Sequence, residues 1–301
     1  MNPFYTDYSE YLQKYFPGQK IQKISVNASL GCPNRDGTIG NGGCIYCNNS
    51  SFTPGYCLTG DSISRQIQKG KKFFSRKYAD MRFLAYFQSF TNTYLGDKNR
   101  LELIYREALR DEDVAGLIVG TRPDCIDDET IEVLDTINRE KPVFVEIGVE
   151  SMHDDTLRRI NRGHDSNATL VSIDKLVKAG LPVGAHLIAG LPGETEDDAL
   201  DSIKRICETG IESIKLHHLQ VLKGTMLARM WEAEEIEIKP WDMNQYLEFC
   251  CKVVAVVPRG IAIERFLSSA PPEMVIAPKW GIKNYEFTNL LINKLQNKQK
   301  V

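Results

Sequence analysis

Short runs of β-branched and aromatic residues alternate along the chain with longer segments in which apolar residues recur every three or four positions. A short run of this kind is typical of a buried strand, and a longer periodic segment is typical of an amphipathic helix. The predicted strands are Ile24–Ser29, Arg82–Ser89, Val114–Thr121, Val143–Glu150, Pro182–Ala189 and Ser213–Val221. The predicted helices cover residues 61–77, 97–111, 128–139, 154–160, 167–179 and 195–209.

Polar residues and glycines mark the ends of these helices. Asp61, Asp127 and Thr195 stand where a side chain can accept a hydrogen bond from the first helical turn. Gly180 and Gly210 fall just past helix ends, where a left-handed backbone is common. These residues set the predicted boundaries of the helices.

Regular alternation of strands and helices predicts parallel strands joined by helical crossovers, and hence an α/β fold. Six such units fit residues 20–221, which favours an incomplete (β/α)6-type TIM barrel, and Ala262–Ser269 is a candidate for one more strand. Residues 1–19 form an N-terminal segment. Residues 222–301 form a C-terminal extension with a helix over Lys239–Val257 and a frayed tail over Asn293–Val301. We expect this extension to complete the barrel side and to shape the substrate pocket.

Composition and charge narrow the class of protein. The chain has 301 residues, 42% of them hydrophobic, and a formal net charge of −3. That charge excludes a protein drawn onto nucleic acid by its overall charge, but it leaves a local basic face open. The sequence has no apolar run of bilayer length and no leader-like N-terminus. We therefore expect a cytoplasmic protein with no membrane association.

The eight cysteines are too few, in too long a chain, for a secreted disulfide scaffold. Three of them, Cys32, Cys44 and Cys47, lie within sixteen residues, and the other five are scattered. Scattered cysteines are typically small buried residues. This distribution indicates a reducing compartment and one metal site.

The spacing within the cysteine cluster is Cys-x11-Cys-x2-Cys, with four glycines in the first gap. Three thiolates with no nearby histidine or fourth cysteine suit an incomplete [4Fe–4S] site, whose fourth iron is open to another ligand. The alternative is a zinc site that takes its fourth ligand from a distant part of the chain.

The segment Cys32-Pro-Asn-Arg-Asp-Gly-Thr, with Gly-Gly-Cys44-Ile-Tyr-Cys47 after it, resembles the radical S-adenosylmethionine (SAM) enzymes. Their usual gaps are three residues and then two, and the longer first gap is similar to that of the YhcC/YtqA-like subgroup. The resemblance covers about residues 15 to 285. It implies a [4Fe–4S] cluster on Cys32, Cys44 and Cys47 that cleaves SAM to a 5′-deoxyadenosyl radical. It also implies an electron donor of the flavodoxin or ferredoxin type.

The resemblance further implies which residues bind SAM. The second strand lacks the Gly-Gly-Glu motif of the superfamily, so polar residues at its end would replace it. A Gly-Leu-Pro-Gly-Glu-Thr turn follows the fifth strand where the superfamily binds adenine. The residues so implied are Tyr46, Gln88, Ser89, Thr91, Glu150, Arg159, Arg162, His186, Gly190 and Leu191. Tyr46 is alternatively an aromatic plug of the barrel mouth, and His186 alternatively a core residue. Glu146 is expected to form an internal salt bridge.

The string Thr-Arg122-Pro-Asp124 also occurs in the elongator-complex catalytic subunit, so the resemblance points to tRNA. The implied reaction is processing of the 5-carboxymethylaminomethyl side chain of a wobble 2-thiouridine to the aminomethyl form. The candidate substrate-binding residues are Arg122, Asp124, Lys215, His217 and Glu264. The alternative for Arg122 and Asp124 is a capping turn.

Basic stretches supply a candidate RNA-binding face, or else solvated helix faces. They comprise Lys69, Lys71, Lys72, Arg76 and Lys77, and then Lys279, Lys283, Lys294, Lys298 and Lys300. Two rival functions remain open at this point. One is a radical SAM enzyme that acts on a small metabolite or peptide, and the other is a non-catalytic iron–sulfur sensor or electron-transfer protein.

Overall fold

The computed structural model describes residues 2–57, 60–75 and 81–299. The strands are β1 (Thr6–Asp7), β2 (Lys20–Val26), β3 (Met81–Phe87), β4 (Val114–Thr121), β5 (Val143–Glu150), β6 (Val183–Ala189), β7 (Ser213–His218), β8 (Val221–Leu222), β9 (Ala262–Arg265) and β10 (Val275–Ala277). The helices are α1 (Tyr8–Leu12), α2 (Ile63–Phe74), α3 (Lys98–Leu109), α4 (Asp128–Asn138), α5 (Asp154–Arg159), α6 (Ser166–Lys178), α7 (Glu196–Cys207), α8 (Met226–Glu232), α9 (Met243–Val256) and α10 (Asn284–Gln299).

The main sheet has eight strands within the described ranges, in the order β1-β9-β7-β6-β5-β4-β3-β2, and every neighbouring pair is parallel. The sheet stays open, because β1 and β2 are its two edges. It nevertheless curls, since Lys23 on β2 reaches Glu264 on β9 at 2.6 Å. The predicted incomplete barrel is confirmed, and it carries two strands more than the six-unit core.

Alternate residues of the strands pack on opposite faces of the sheet. Phe83, Ala85 and Phe87 of β3 join the large outer core beneath the helices. Leu84 and Tyr86 point to the other face and join an apolar cluster with Tyr11 and Phe16 of the N-terminal segment. The N-terminal segment therefore fills one end of the barrel. Each fully buried aromatic side chain there contributes about 1.5–3 kcal/mol.

Helix boundaries follow the predicted caps, with one exception. Asp127 and Thr195 accept hydrogen bonds from the first turns of α4 and α7, as predicted. The cap of α2 is Ser62 rather than Asp61, because the Asp61 carboxylate instead lies 2.5 Å from the ammonium group of Lys69. The last two residues of the predicted helix 61–77 lie outside the described ranges.

Several strand and helix ends shift by a few residues. Strand β2 begins at Lys20 and ends at Val26, so residues 27–29 already belong to the following loop. Helix α9 begins at Met243 rather than Lys239, because Asp242 and Gln245 form a capping box there. Within the described residues, no helix is long and apolar enough to span a bilayer.

The prediction of a frayed C-terminal tail is wrong as far as the described residues extend, to Gln299. Helix α10 continues to Gln299, with Phe287 and Leu291 buried against the core. Lys294 and Lys298 both pair with Glu248 of α9, at 2.5 and 2.7 Å. Apolar residues four positions apart give the helix a face to bury, and this outweighs its lysine-rich composition.

Much of the candidate basic face is neutralised by acidic partners. Lys69 pairs with Asp61, and Lys71 pairs with Asp111 and Asp113. Lys72, Lys279 and Lys283 are exposed, whereas Arg76, Lys77 and Lys300 lie outside the described residues. Lys69 and Lys71, in the second half of α2, are therefore paired with acidic residues.

Candidate functional site

An open cavity of about 250 Å³ lies where the parallel strands end. Its wall comes from the loop after β2 and from the C-terminal ends of β3, β4, β5, β6, β7 and β9, which is where a parallel barrel carries its functional groups. The sequence-derived candidates in this wall are Cys32, Cys44, Tyr46, Cys47, Gln88, Thr91, Arg122, Glu150, Arg162, His186 and His217. The fold therefore brings together residues from six separate strand ends.

The loop that carries the three cysteines is fixed by a pair of asparagines. Asn34 donates to the backbone oxygen of Asn161 at 2.6 Å, and Asn161 donates to the backbone oxygen of Gly43 at 2.9 Å. The backbone N–H of Ile45 also donates to Ile160 at 3.1 Å. These bonds tie the cysteine loop to the turn after α5, so the thiols are held by two parts of the chain.

The sulfur of Cys44 is surrounded by hydrogen-bond donors. Arg162 Nη1 lies 3.5 Å from the sulfur, and Asn34 Nδ2 lies 3.7 Å from it. Burial raises the pKa of the Cys47 thiol to about 11, and the nearby Cys44 adds to this shift. The thiols are thus close enough to affect one another, and donors are in place to stabilise a thiolate.

Two observations test whether these residues fit an iron–sulfur cluster with SAM. Among residues 2–57, 60–75 and 81–299, no three His, Cys, Asp or Glu side chains stand as close together as the ligands of one metal ion. A cluster in which each thiolate binds a different iron does not require that closeness. The hydroxyl of Thr91 is buried in the cavity wall and has no protein hydrogen-bond partner, so it fits a ligand that supplies one.

A bulge in β5 shapes the cavity beside Cys44. The register of β5 with β6 shifts between Gly148 and Glu150, and Glu150 has a left-handed backbone with φ of 65°. Arg162 Nη2 donates to the Gly148 oxygen at 2.5 Å and lies 3.6 Å from the Glu150 carboxylate. A Cβ atom at position 148 would lie 2.6 Å from that nitrogen, so glycine is what lets Arg162 reach this wall.

The end of β3 contributes a second strained residue. Phe90 has a φ of 64°, and its ring is 38% exposed at the cavity. A left-handed backbone is unfavourable for a bulky residue. The backbone at Phe90 is held by Asn49, whose side-chain oxygen accepts a hydrogen bond from the Phe90 N–H at 3.1 Å. Ser89 does not line the cavity, and its hydroxyl bonds to Thr53 at 3.0 Å.

The side chains of Arg122 and Asp124 form an ion pair with each other and do not both point into the cavity. The guanidinium donates to both carboxylate oxygens of Asp124, at 2.9 and 2.7 Å, and to the backbone oxygen of Arg162 at 2.8 Å. Arg122 reaches the cavity wall, whereas Asp124 does not. Its carboxylate is already occupied by this pair.

Three other candidates lie away from the cavity. Arg159 donates to the backbone oxygen of Pro192 at 2.9 Å. Gly190 lies in a separate small recess beside Trp241. Leu191 is buried in an apolar cluster with Ile45 and Leu157. None of these three residues lines the cavity that contains the cysteines.

A network of charges forms the floor beneath the cavity, and Glu146 is at its centre. Glu146 lies 2.7 Å from Lys215, 3.0 Å from Lys23 and 2.6 Å from His186, and Tyr86 donates to it at 2.6 Å. Burial alone would raise the pKa of Glu146, but Lys215, Lys23 and His186 outweigh it and hold the pKa well below its usual value. The internal salt bridge expected for Glu146 is present.

Lys215 and Glu264 belong to this floor rather than to the cavity wall. Glu264 lies 2.6 Å from Lys23 and 3.0 Å from Lys215. Both side chains are thus paired beneath the cavity. The sequence signal for this network was Glu146, a charged residue inside a largely apolar strand, whereas Lys23 lay outside the strand predicted from Ile24.

Sequence reasoning did not single out Phe90, which lines the cavity together with Arg265 and His218. Arg265 is the last residue of β9, and its side chain approaches the ring of His217 at 3.3 Å. His218 stacks on Trp280 with ring centroids 4.2 Å apart. For Phe90, which lies three residues past the end of β3, the available signal was an aromatic residue between the polar residues Gln88 and Thr91.

Comparisons with known proteins agree with this geometry. A model of the radical SAM superfamily matches residues 27–206, and a model of the radical SAM C-terminal domain matches residues 211–297. The YtqA protein of Bacillus subtilis (strain 168) is 31% identical over 288 residues, which are 96% of this chain and 88% of that protein. The YhcC protein of Escherichia coli (strain K12) is 36% identical over 264 residues, covering 87% and 83%.

More distant similarity extends to a tRNA-modifying enzyme and to a solved Elp3 structure. The tRNA uridine(34) acetyltransferase of Methanocaldococcus infernus is 24% identical over 185 residues, which are 60% of this chain and 33% of that enzyme. The solved structure of Methanocaldococcus infernus Elp3 superposes with a TM-score of 0.72 at 17% identity, covering 93% of this chain and 64% of that one. At that identity the superposition establishes the fold alone.

Proposed function

This chain belongs to the radical SAM superfamily, whose enzymes use a [4Fe–4S] cluster and SAM, and we propose that it modifies the wobble uridine of tRNA. The reaction we propose is processing of the 5-carboxymethylaminomethyl side chain of 2-thiouridine to the aminomethyl form. The observation that carries this proposal is the similarity to a tRNA uridine(34) acetyltransferase over 60% of the chain. The present chain spans only one third of that enzyme, so its acetyl-transfer activity is not part of the proposal.

Cys32, Cys44 and Cys47 hold the cluster in this proposal, and SAM occupies the cavity beside them. Together, when bound, they would supply a 5′-deoxyadenosyl radical able to take a hydrogen atom from a C–H bond of the substrate. Arg162 and Asn34 donate toward the Cys44 sulfur and so favour its thiolate form. Thr91, Gln88 and the other polar groups of the wall orient the bound molecules.

Phe90 gives the cavity a contact suited to a nucleobase. Phe90 lines the cavity and is partly exposed, so its side chain is accessible to a bound molecule. Enzymes that act on a base take it out of the stack, and aromatic side chains then stack on it. In this proposal the ring of Phe90 stacks on the extruded uracil.

The test is the nucleoside composition of tRNA from a strain that lacks this gene, compared with its parent by mass spectrometry. We expect the carboxymethylaminomethyl nucleoside to accumulate and the aminomethyl-derived forms to be lost. Wild-type protein and the Cys207→Ala variant should restore them, because Cys207 lies on α7 away from the cavity. Cys44→Ala should not.

Unchanged wobble uridines in the deletion strain would exclude the tRNA function and favour a small-molecule or peptide substrate. Restoration by Cys44→Ala would exclude this cysteine as a cluster ligand. Iron content and the four-iron absorbance of the purified Cys44→Ala protein provide a readout that does not depend on the substrate.

A further inference from the structure

Four arginines line the cavity, and Arg265 differs from the other three in its partners. Arg35 donates to the backbone oxygen of Cys47, Arg122 to Asp124 and Arg162 to Gly148. Within the described part of the chain, no carboxylate lies within 4 Å of the Arg265 guanidinium. Its Nε is buried and has no hydrogen-bond partner, which also holds for Arg122 Nη1 and Arg162 Nε, but only Arg265 among the four donates to no oxygen atom of the described residues.

The groups around Arg265 leave its charge uncompensated. Its Nη2 approaches the two ring nitrogens of His217 at 3.3 and 3.4 Å. Burial, and next to it the Arg265 charge, lower the pKa of His217 well below its usual value, so this ring is neutral. The adjacent Glu264 carboxylate is occupied by Lys23 and Lys215.

An uncompensated cation in a partly buried wall is costly, because desolvation of a charge costs several kcal/mol unless a partner compensates it. A guanidinium is also the side chain best matched to a planar pair of anionic oxygens, which it binds with two parallel hydrogen bonds. Ser268 and Gln220 also line the cavity and add neutral polar groups. The cavity therefore has a place for one anion beside Arg265.

We propose that Arg265 binds the carboxylate of the substrate's side chain and so holds that side chain in the cavity. This inference rests on the proposed function, in which the wobble substituent ends in a carboxymethyl group on a secondary amine. Arg265 then selects the carboxymethylaminomethyl nucleoside over nucleosides whose side chain ends in a neutral group. The aminomethyl form has no carboxylate and therefore lacks this contact.

The test uses N-benzylglycine, which carries a carboxylate on a secondary amine, and N-benzylglycinamide, which has the same shape without the charge. Their binding to the reconstituted protein in the presence of SAM is measured anaerobically by calorimetry. We expect the acid to bind at least about tenfold more tightly than the amide, as a bidentate charged pair would give. In Arg265→Gln this ratio should fall to about one, and Arg265→Lys should keep part of it.

Arg259→Gln is the matched control, since Arg259 is exposed before β9 and bonds to backbone oxygens of Asn2 and Pro3. This variant should keep the wild-type ratio of acid to amide affinity. An unchanged ratio in Arg265→Gln, or no saturable binding of the acid to wild-type protein, would overturn the assignment. Loss of SAM affinity in Arg265→Gln with an unchanged ratio would assign the residue to the cofactor instead.

Inorganic phosphate is the third probe. Tighter binding of phosphate than of the acid would indicate a phosphate contact and would also overturn the assignment to a carboxylate. The test is independent of tRNA. If the deletion strain has unchanged wobble uridines but Arg265→Gln abolishes the preference for the acid, the proposed function fails and the carboxylate site stands.

Discussion

The ammonium group of Lys215 lies 2.7 Å from the carboxylate of Glu146, and the two side chains are only 3% and 4% exposed. This pair lies in the barrel floor directly beneath the candidate site. Lys23 and His186 also reach the same carboxylate, so Glu146 meets two ammonium groups and one imidazole from three other strands. The floor is therefore sensitive to loss of this one acid.

We expect Glu146→Gln to lower the free energy of unfolding by about 3–5 kcal/mol, the cost of leaving buried charges without their partner. Lys23 and Lys215 would then share Glu264 alone. The matched control is Asp174→Asn, which breaks an exposed pair with Lys178 on α6 and should change stability by no more than about 0.5 kcal/mol. Denaturant unfolding measures the free energy of unfolding of both variants. An equal decrease in the two would contradict a central role for Glu146.

The second prediction is that His218 makes the stability of the folded protein fall in acid. Burial, with a smaller contribution from Arg265, lowers its pKa from 6.5 to about 3. Below pH 6.5 the unfolded chain therefore binds a proton that the folded protein does not, and stability falls as the pH falls toward 3. The expected loss is about 1.4 kcal/mol per pH unit from this residue.

His218→Phe keeps a ring on Trp280 but removes the titrating group. We expect its free energy of unfolding to fall less steeply than that of the wild type between pH 6.5 and 4.5. Denaturant unfolding at several pH values gives both slopes. Parallel curves for the two proteins would show that His218 takes up no extra proton on unfolding.

Gly148→Ala tests the contact that holds Arg162 beside Cys44. A methyl group at this position would lie 2.6 Å from Arg162 Nη2, so we expect the guanidinium to move away from the Cys44 sulfur. Iron content after reconstitution and SAM affinity should both fall. Gly260→Ala is the control, because a Cβ there meets nothing within 4 Å. If Gly148→Ala binds the cluster and SAM normally, the position of Arg162 beside Cys44 is not required for that binding.

Phe90→Gly and Phe90→Ala separate backbone strain from side-chain function. Both remove the ring, but only glycine relieves the left-handed backbone at φ of 64°. We expect Phe90→Gly to be more stable than Phe90→Ala by about 1 kcal/mol. Both should bind the anticodon stem–loop of the substrate tRNA about fivefold to a hundredfold more weakly, the range for loss of one stacked base. RNA binding equal to that of the wild type would contradict the stacking role.

The sequence by itself determined the class of fold and the residues of the cysteine loop. Alternation of strand and helix patterns is a local property, so all six predicted strands of the core and the additional strand at Ala262 occur in the sheet. Caps such as Asp127 and Thr195 also act within one turn and were correctly identified. The motifs at successive strand ends predicted one site, because parallel strands bring these ends to the same edge.

Only the tertiary structure decided what each side chain contacts. The strand β1 was missed because two residues have no periodicity, and they pair only with β9, more than 250 positions away. The C-terminal lysines are helical since Glu248 and the core lie beside them. Arg159 and Arg162 are three residues apart in sequence, yet one meets Pro192 and the other meets Cys44. Arg265 became a candidate because the acids near it are committed to other cations, and pairing of charges across a folded barrel is not encoded in local pattern.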